Sequence, residues 1–379
     1  MRTFTNPFLK PPYIIAVSLL WFCTLVSHAA ERHLWDDGWR FALHPDDAPL
    51  QPDFKDDAWR LLDLPHDWAI EGDFYAQNPS GANGGALPGG IGWYRKHLAL
   101  HDSDAASRYV LHFDGAYMNT SVYVNGTLLG TRPYGFISFS FDITPHLNKQ
   151  GDNVVAVKVD NSRQPNSRWY TGCGVYRHVY LSKSTDVRVA EWGVQAISEV
   201  KKGVGNVTLN TQIENFSGRS RRVTVRQKLW NKARRLVTQT SKTCDIAVSG
   251  TTIKQQMRVP KPQLWSLSSP YLYTITTEII ENGRVLDGDT IRMGMRTVAF
   301  DAKQGFFLNG KNMKINGVCL HGDLGCLGAA INEDALYRQV SLMKAMGANA
   351  IRCSHNPPAP ELLNLCDSLG MLVVDEAFD

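Results

Sequence analysis

The sequence predicts a multidomain chain, all-β through its first two thirds and α/β at its end: two β-sandwiches leading into the first three βα units of an incomplete (β/α) barrel. Three observations carry this. From Glu31 to Arg296 short runs of alternating apolar and polar residues are punctuated by turn formers, the pattern of half-buried strands. From Thr297 the pattern becomes strand, helix, strand, helix, strand with short connections, which implies parallel pairing with helices outside. The length, 379 residues, exceeds what one hydrophobic core ordinarily organises.

Composition narrows the class. With 43% hydrophobic and 20% charged residues and no low-complexity tract, the chain is globular. Residues 1–30 read as a secretory signal peptide: a basic start, an apolar run from Tyr13 to Val26, and small residues at Ser27, Ala29 and Ala30. That run is too short to span roughly 30 Å of hydrocarbon, so the expected product is secreted or periplasmic, with no membrane association after signal removal. The leader carries Arg2 and Lys10 but no acid, so its loss takes the formal charge from +4 to +2. A near-neutral chain gives no reason to invoke nucleic acid or acidic lipid as a partner. The remaining cysteines, Cys173, Cys244, Cys319, Cys326, Cys353 and Cys366, show no metal-ligand spacing and read as buried free thiols.

In chain order, residues 31–185 form the first sandwich. Val122 to Val124 and Thr127 to Leu129 flank Asn125-Gly126, a strong hairpin signal. Phe139, Phe141 and Ile143 alternate on one strand and Val155, Val157 and Val159 on another, while the glycine-rich Gly81–Gly92 stretch is a loop. Large aromatics gather here, among them Trp68, Trp93, Tyr94, Trp169 and Tyr170. Such residues stack on sugars, but more commonly they fill cores, and each is read here as core or interface.

Residues 186–297 suit an immunoglobulin-like sandwich in size and strand spacing. Its arginines, Arg219, Arg221, Arg222, Arg226, Arg234 and Arg235, read as a solvated, edge-protecting face rather than a polyanion site. In residues 298–379 a hairpin turns at Asn309-Gly310, and a near-continuous strand follows from Met313 to Leu320. A helix capped by Asn332 at its start and Gly347 at its end buries Leu336, Val340 and Met343. The strand Asn349 to Cys353, a second helix opening on Pro360 and ending at Gly370, and the strand Met371 to Val374 complete the segment.

Polar and ionisable residues collect where these last strands stop: His321 and Asp323, then Ser354, His355 and Asn356, then Asp375 and Glu376. Barrel enzymes place their chemistry there. Asp375 and Glu376 are adjacent, however, and successive strand side chains point to opposite faces, so they do not present both carboxyls to one bond.

Several motifs together resemble glycoside hydrolase family 2: Gly92-Trp93-Tyr94-Arg95-Lys96, Trp169-Tyr170-Thr171-Gly172-Cys173-Gly174-Val175-Tyr176-Arg177, Asn316-Gly317-Val318, Arg352-Cys353-Ser354-His355-Asn356-Pro357 and Val374-Asp375-Glu376-Ala377. Leu64-Pro65-His66-Asp67-Trp68 is most similar to secreted β-galactosidases of that family. The resemblance implies a galactose-binding-like first domain, a catalytic TIM barrel, and a retaining β-galactosidase-type hydrolase, with β-glucuronidase or β-mannosidase as the alternative within the family. From another class, a non-catalytic carbohydrate-binding or scaffold protein is the competing reading. The implied substrate is a β-linked oligosaccharide or glycoside. His355, His321, Asp323 and Asn356 take the place of sugar-binding residues, with Arg352, Asp375 and Glu376 as support. The resemblance puts the acid/base and nucleophile glutamates beyond Asp379, so the chain alone is expected to be inactive. No cofactor is evident; magnesium and oligomerisation are expectations for the full-length enzyme, with the metal ligands outside this chain. One departure stands out: where the family has an aspartate reaching the barrel, this sequence has Arg168, leaving Asp160 or Asn166 as substitutes.

Overall fold

The computed structural model describes residues 31–45, 49–100 and 107–378; the expected leader lies outside the described residues. Two sheets face each other in the first sandwich. One has four strands, Glu31–Leu34, Val179–Ser184, Arg108–Phe113 and Phe139–Asp142; the other is a six-stranded sheet centred on Gly90–Leu100 and Gly151–Asn161. Trp39, Tyr94, Leu111, Phe113, Val122 and Val157 fill the space between them. The Asn125-Gly126 hairpin forms as expected, with φ of 48° and 82°, the left-handed pair a tight turn between twisted strands requires. Ile143 is the exception to the expected alternation: it leaves the strand after Asp142 and starts a short 3-10 turn, although it stays buried.

Residues of the Gly92–Lys96 motif turn out to be structural. A Cβ on Gly92 would lie 2.5 Å from the Trp68 ring, so only glycine lets that ring lie on the strand. Arg95 is fully buried and donates to Asp56 Oδ2 at 2.8 Å and to the Pro49 carbonyl at 2.5 Å, which meets the requirement that an interior charge be paired.

The second sandwich packs the sheet Val187–Lys201, Val204–Asn215 and Thr251–Pro260 against the sheet Leu236–Ile246, Arg221–Trp230, Tyr273–Glu281 and Arg284–Met293. Val223, Val225 and Leu229 point inward by the two-residue strand period. Between them Gln227 donates to the Thr211 and Thr277 hydroxyls. On the outer face Arg221, Arg222 and Arg226 pair with Glu281, Asp245 and Glu278, the solvated arrangement expected of them.

A hairpin sheet (Val298–Asp301, Gly305–Leu308, Lys311–Met313) then leads to three parallel strands, Gly317–Leu320, Ala350–Cys353 and Leu372–Val374. Met313 to Leu320 is therefore not one strand. Its two ends belong to different sheets, and the Asn349 side chain bonds the Asn316 N–H and the Lys314 carbonyl where the ladder breaks. Helix α1 (Glu333–Ala345) is capped by Asn332, whose carboxamide accepts the Ala335 N–H at 2.9 Å. Helix α2 (Pro360–Leu369) begins with proline and ends at Gly370 in the left-handed region. All six described cysteines are free, but only Cys173, Cys353 and Cys366 are buried. Cys319 and Cys326 are exposed, because the first lies on the open inner face of three strands and the second in the loop beyond them. Among the described residues no helix is long and apolar enough to cross a membrane.

Candidate active site

The parallel register aligns Cys319 with Arg352 and Arg352 with Val374, so the loops after the three strands emerge side by side. Arg352 Nε donates to Glu376 Oε1 at 2.5 Å, and Glu376 Oε2 lies 2.8 Å from His355 Nδ1. The His355 hydrogen bond, with Arg352 adding to it, holds the Glu376 carboxyl below the usual carboxylate range. Glu376 accepts from His355 Nδ1, which Arg352 Nη2 also approaches at 3.3 Å, and Nε2 is the ring nitrogen that Glu376 does not engage. Asp375 takes no part in this cluster and is exposed. The chain leaves the strand at Val374, and only the second of the two acids turns toward Arg352.

His321 packs edge-on to His355, with ring centroids 5.6 Å apart. Over both comes Trp169 from the first sandwich, 5.5 Å from His321 and 5.3 Å from His355. Its indole Nε1 is buried without a hydrogen-bond partner among the described residues. The Asn356 carboxamide oxygen lies 2.9 Å from the Tyr134 hydroxyl, which also approaches the Ala377 carbonyl; the amide nitrogen of Asn356 is likewise buried and unpartnered. Asp323 is exposed and accepts the Gly325 N–H at 3.4 Å, closing its own loop. The cavity beneath, bounded by Tyr176, Ser354 and Pro357 among others, holds about 50 Å³, room for a few waters and not for a pyranose.

The structure brings His321, His355, Asn356, Arg352 and Glu376 into one neighbourhood; what reaches them from the first sandwich was not expected from the sequence. Asp160 pairs with Lys158 and Ser162, and Asn166 with Asn161, so neither expected substitute extends to the barrel. Trp169 and Tyr134 do. Trp169 opens the Trp169–Arg177 motif, yet a large aromatic reads as core filling and nothing local marks it as reaching the barrel.

Asp67 fixes that approach. Its carboxylate accepts the N–H groups of Ala69 (3.1 Å), Cys173 (2.8 Å) and Ala329 (2.9 Å), and the Tyr170 hydroxyl. Ala329 belongs to the barrel and the others to the first sandwich. Burial pushes the Asp67 carboxyl up, against the hydrogen bonds that favour its anion. Gly328, with φ of 60°, lies so close that a Cβ would stand 2.4 Å from Asp67 Oδ2. Arg177 adds a second clasp by donating to the Pro357 carbonyl at 2.8 Å, and the Ile331 N–H bonds the Tyr176 carbonyl at 2.9 Å. Among the described residues no group of three or more His, Cys, Asp or Glu side chains converges as metal ligands would.

Comparison with known proteins agrees with this architecture. Three consecutive family models match: the glycosyl hydrolase 2 galactose-binding domain-like model over residues 90–190, the glycosyl hydrolases family 2 model over 187–296, and the glycosyl hydrolases family 2 TIM barrel domain over 300–378. The chain is 50% identical to β-galactosidase BoGH2A of Bacteroides ovatus, over 92% of this chain and 41% of that protein. A solved family 2 member from Bacteroides cellulosilyticus superposes with a TM-score of 0.89 at 35% identity, covering 92% of this chain and 46% of the other. The Bacteroides uniformis β-glucuronidase does so at 0.82 and 29%, covering 92% and 42%. The chain thus spans less than half the length of these relatives.

Proposed function

The chain belongs to glycoside hydrolase family 2, and from that premise we propose that it serves in a retaining β-glycosidase of β-galactosidase type, acting on terminal β-glycosides after export by its N-terminal leader. The observation that carries this is the anchored His355 with Trp169 laid across it. Glu376 fixes the imidazole, His355 Nε2 meets a sugar hydroxyl, and the indole face packs on the apolar face of the ring. His321, which is exposed beside His355, extends the polar contacts.

Glu376 is a support and not the general acid. A glycosidase acid needs a raised pKa, whereas this carboxyl is depressed and engaged on both oxygens. The contribution of these residues is binding and orientation. The galactoside reading is favoured over glucuronide by the 50% identity to a β-galactosidase, and the likeness to a β-glucuronidase keeps the second sugar in the test.

Saturation-transfer NMR with methyl β-galactoside and methyl β-glucuronide decides between them. The proposal expects galactoside contacts that vanish in both His355→Ala and Trp169→Ala. Contacts surviving both substitutions, or confined to the glucuronide, overturn it.

A further inference from the structure

A second concavity, of about 630 Å³, opens on the outer face of the second sandwich beside the end of α2. Its wall includes Trp230, Leu272, Thr290, Lys232, Arg234 and Arg292. Trp230 ends its strand half-buried, and its indole Nε1 donates to Thr276 Oγ1 at 2.9 Å. The polar edge is thereby satisfied while the indole lines the concavity.

Charge distinguishes this groove from the rest of the sheet. Further along the same face Arg226 and Lys228 share Glu278, so each has an acid partner. Lys232 and Arg234 stand exposed in the turn after Trp230, and among the described residues no acid pairs with either. Arg292 leans on neutral acceptors, Asn364 Oδ1 at 3.1 Å and Ser368 Oγ at 3.4 Å. The nearby Asp367 makes no salt bridge with Arg292, and burial pushes its carboxyl up against the pull of Arg296 and Arg292. Of the arginines expected to form a solvated face, Arg221, Arg222 and Arg226 are paired, whereas Arg234 is exposed with no acid partner among the described residues.

An aromatic face, hydroxyls and three cations around a concavity of ligand size match one chemistry. Pyranose rings stack on indole, and guanidinium binds carboxylate or sulfate through paired N–H donors. We infer that this groove binds a segment of anionic carbohydrate, bearing sulfate or carboxylate groups, at a place separate from the His355 site. It would hold the protein on a charged polymer while the other site takes a chain end.

The test titrates the full chain with a sulfated galacto-oligosaccharide, an oligogalacturonate and a neutral galacto-oligosaccharide of equal length, followed by calorimetry and tryptophan fluorescence. The expected result is that one or both anionic ligands bind at least about tenfold tighter than the neutral one, with affinity falling as salt rises; the better of the two identifies the anion. Charge reversal in Lys232→Glu with Arg234→Glu, on an exposed turn where the melting temperature should not move, weakens binding by about tenfold or more. Trp230→Ala weakens it also, and the preference for the anionic ligands persists in His355→Ala. Equal affinity for the neutral ligand, indifference to charge reversal, or loss of that preference in His355→Ala overturns the inference.

Discussion

The start of the barrel is gripped from two sides by different materials. On the second-sandwich side Trp265, Phe306, Leu308, Ala350 and Leu372 form an apolar cluster, with the Trp265 indole donating to the Asp367 carbonyl at 2.7 Å and Gly370 pressed against the Leu267 carbonyl. On the first-sandwich side the contacts are polar and buried: Asp67 to Ala329, Arg177 to Pro357, Tyr134 to Asn356, and His178 between Asp36 and Glu361. Apolar burial is non-directional and supplies adhesion. Hydrogen bonds supply less net energy and fix position, and they are costly to leave half made. The candidate site lies on the polar side, where Trp169 must be placed over two histidines.

Breaking the apolar grip should cost most. Trp265→Ala is expected to lower stability by about 3–5 kcal/mol, read from denaturant unfolding; a loss below about 1 kcal/mol would mean the cluster does not bear on global stability. Removing the polar pin should cost less stability and more function. Asp67→Ala strands backbone N–H groups at about 1–3 kcal/mol each, whereas Asp67→Asn, whose amide nitrogen cannot replace the oxygen that accepts the Ala329 N–H, should strand fewer of them and still lose the galactoside transfer signal. If Asp67→Asn keeps that signal, positioning by this carboxylate is refuted.

The polar side should also respond to pH. Burial alone would lower the His178 pKa, but the Asp36 carboxylate more than reverses this and raises it; burial raises Glu361. A raised histidine stabilises fully below its ordinary value of 6.5 and stops doing so as pH climbs through the folded pKa. A raised carboxyl likewise opposes folding once the pH favours its anion. Hydrogen exchange at Ala329 and Ile331 should therefore quicken between neutral and mildly alkaline pH by more than the intrinsic rate, while amides packed on Trp265 do not. The smallest effect belongs to neither seam: Arg222→Ala removes an exposed pair with Asp245 and should shift stability by under about 0.5 kcal/mol.

Local pattern was enough for much of this. The Asn125-Gly126 turn, the Asn332 cap, the Pro360 start and the Gly370 stop all act through residues a few positions apart, so each was readable without a neighbour. Arg352, His355 and Asn356 could be placed because strand ends in such barrels converge. The missed features are long-range. Trp169 and Tyr134 carry no local mark of the barrel they touch, and the break between Met313 and Gly317 exists because its two ends join different sheets.

The sequence by itself determined the element types, the family and the ring of polar residues at the strand ends, since periodicity, capping and motif spacing are properties of the chain. Only the tertiary structure decided that Glu376 and not Asp375 meets Arg352, that Asp67 pins sandwich to barrel, and that Lys232 and Arg234 have no acid partner among the described residues. Those outcomes depend on which side chains from distant segments arrive at the same point, and a carboxylate's partners are chosen by geometry that no stretch of sequence contains.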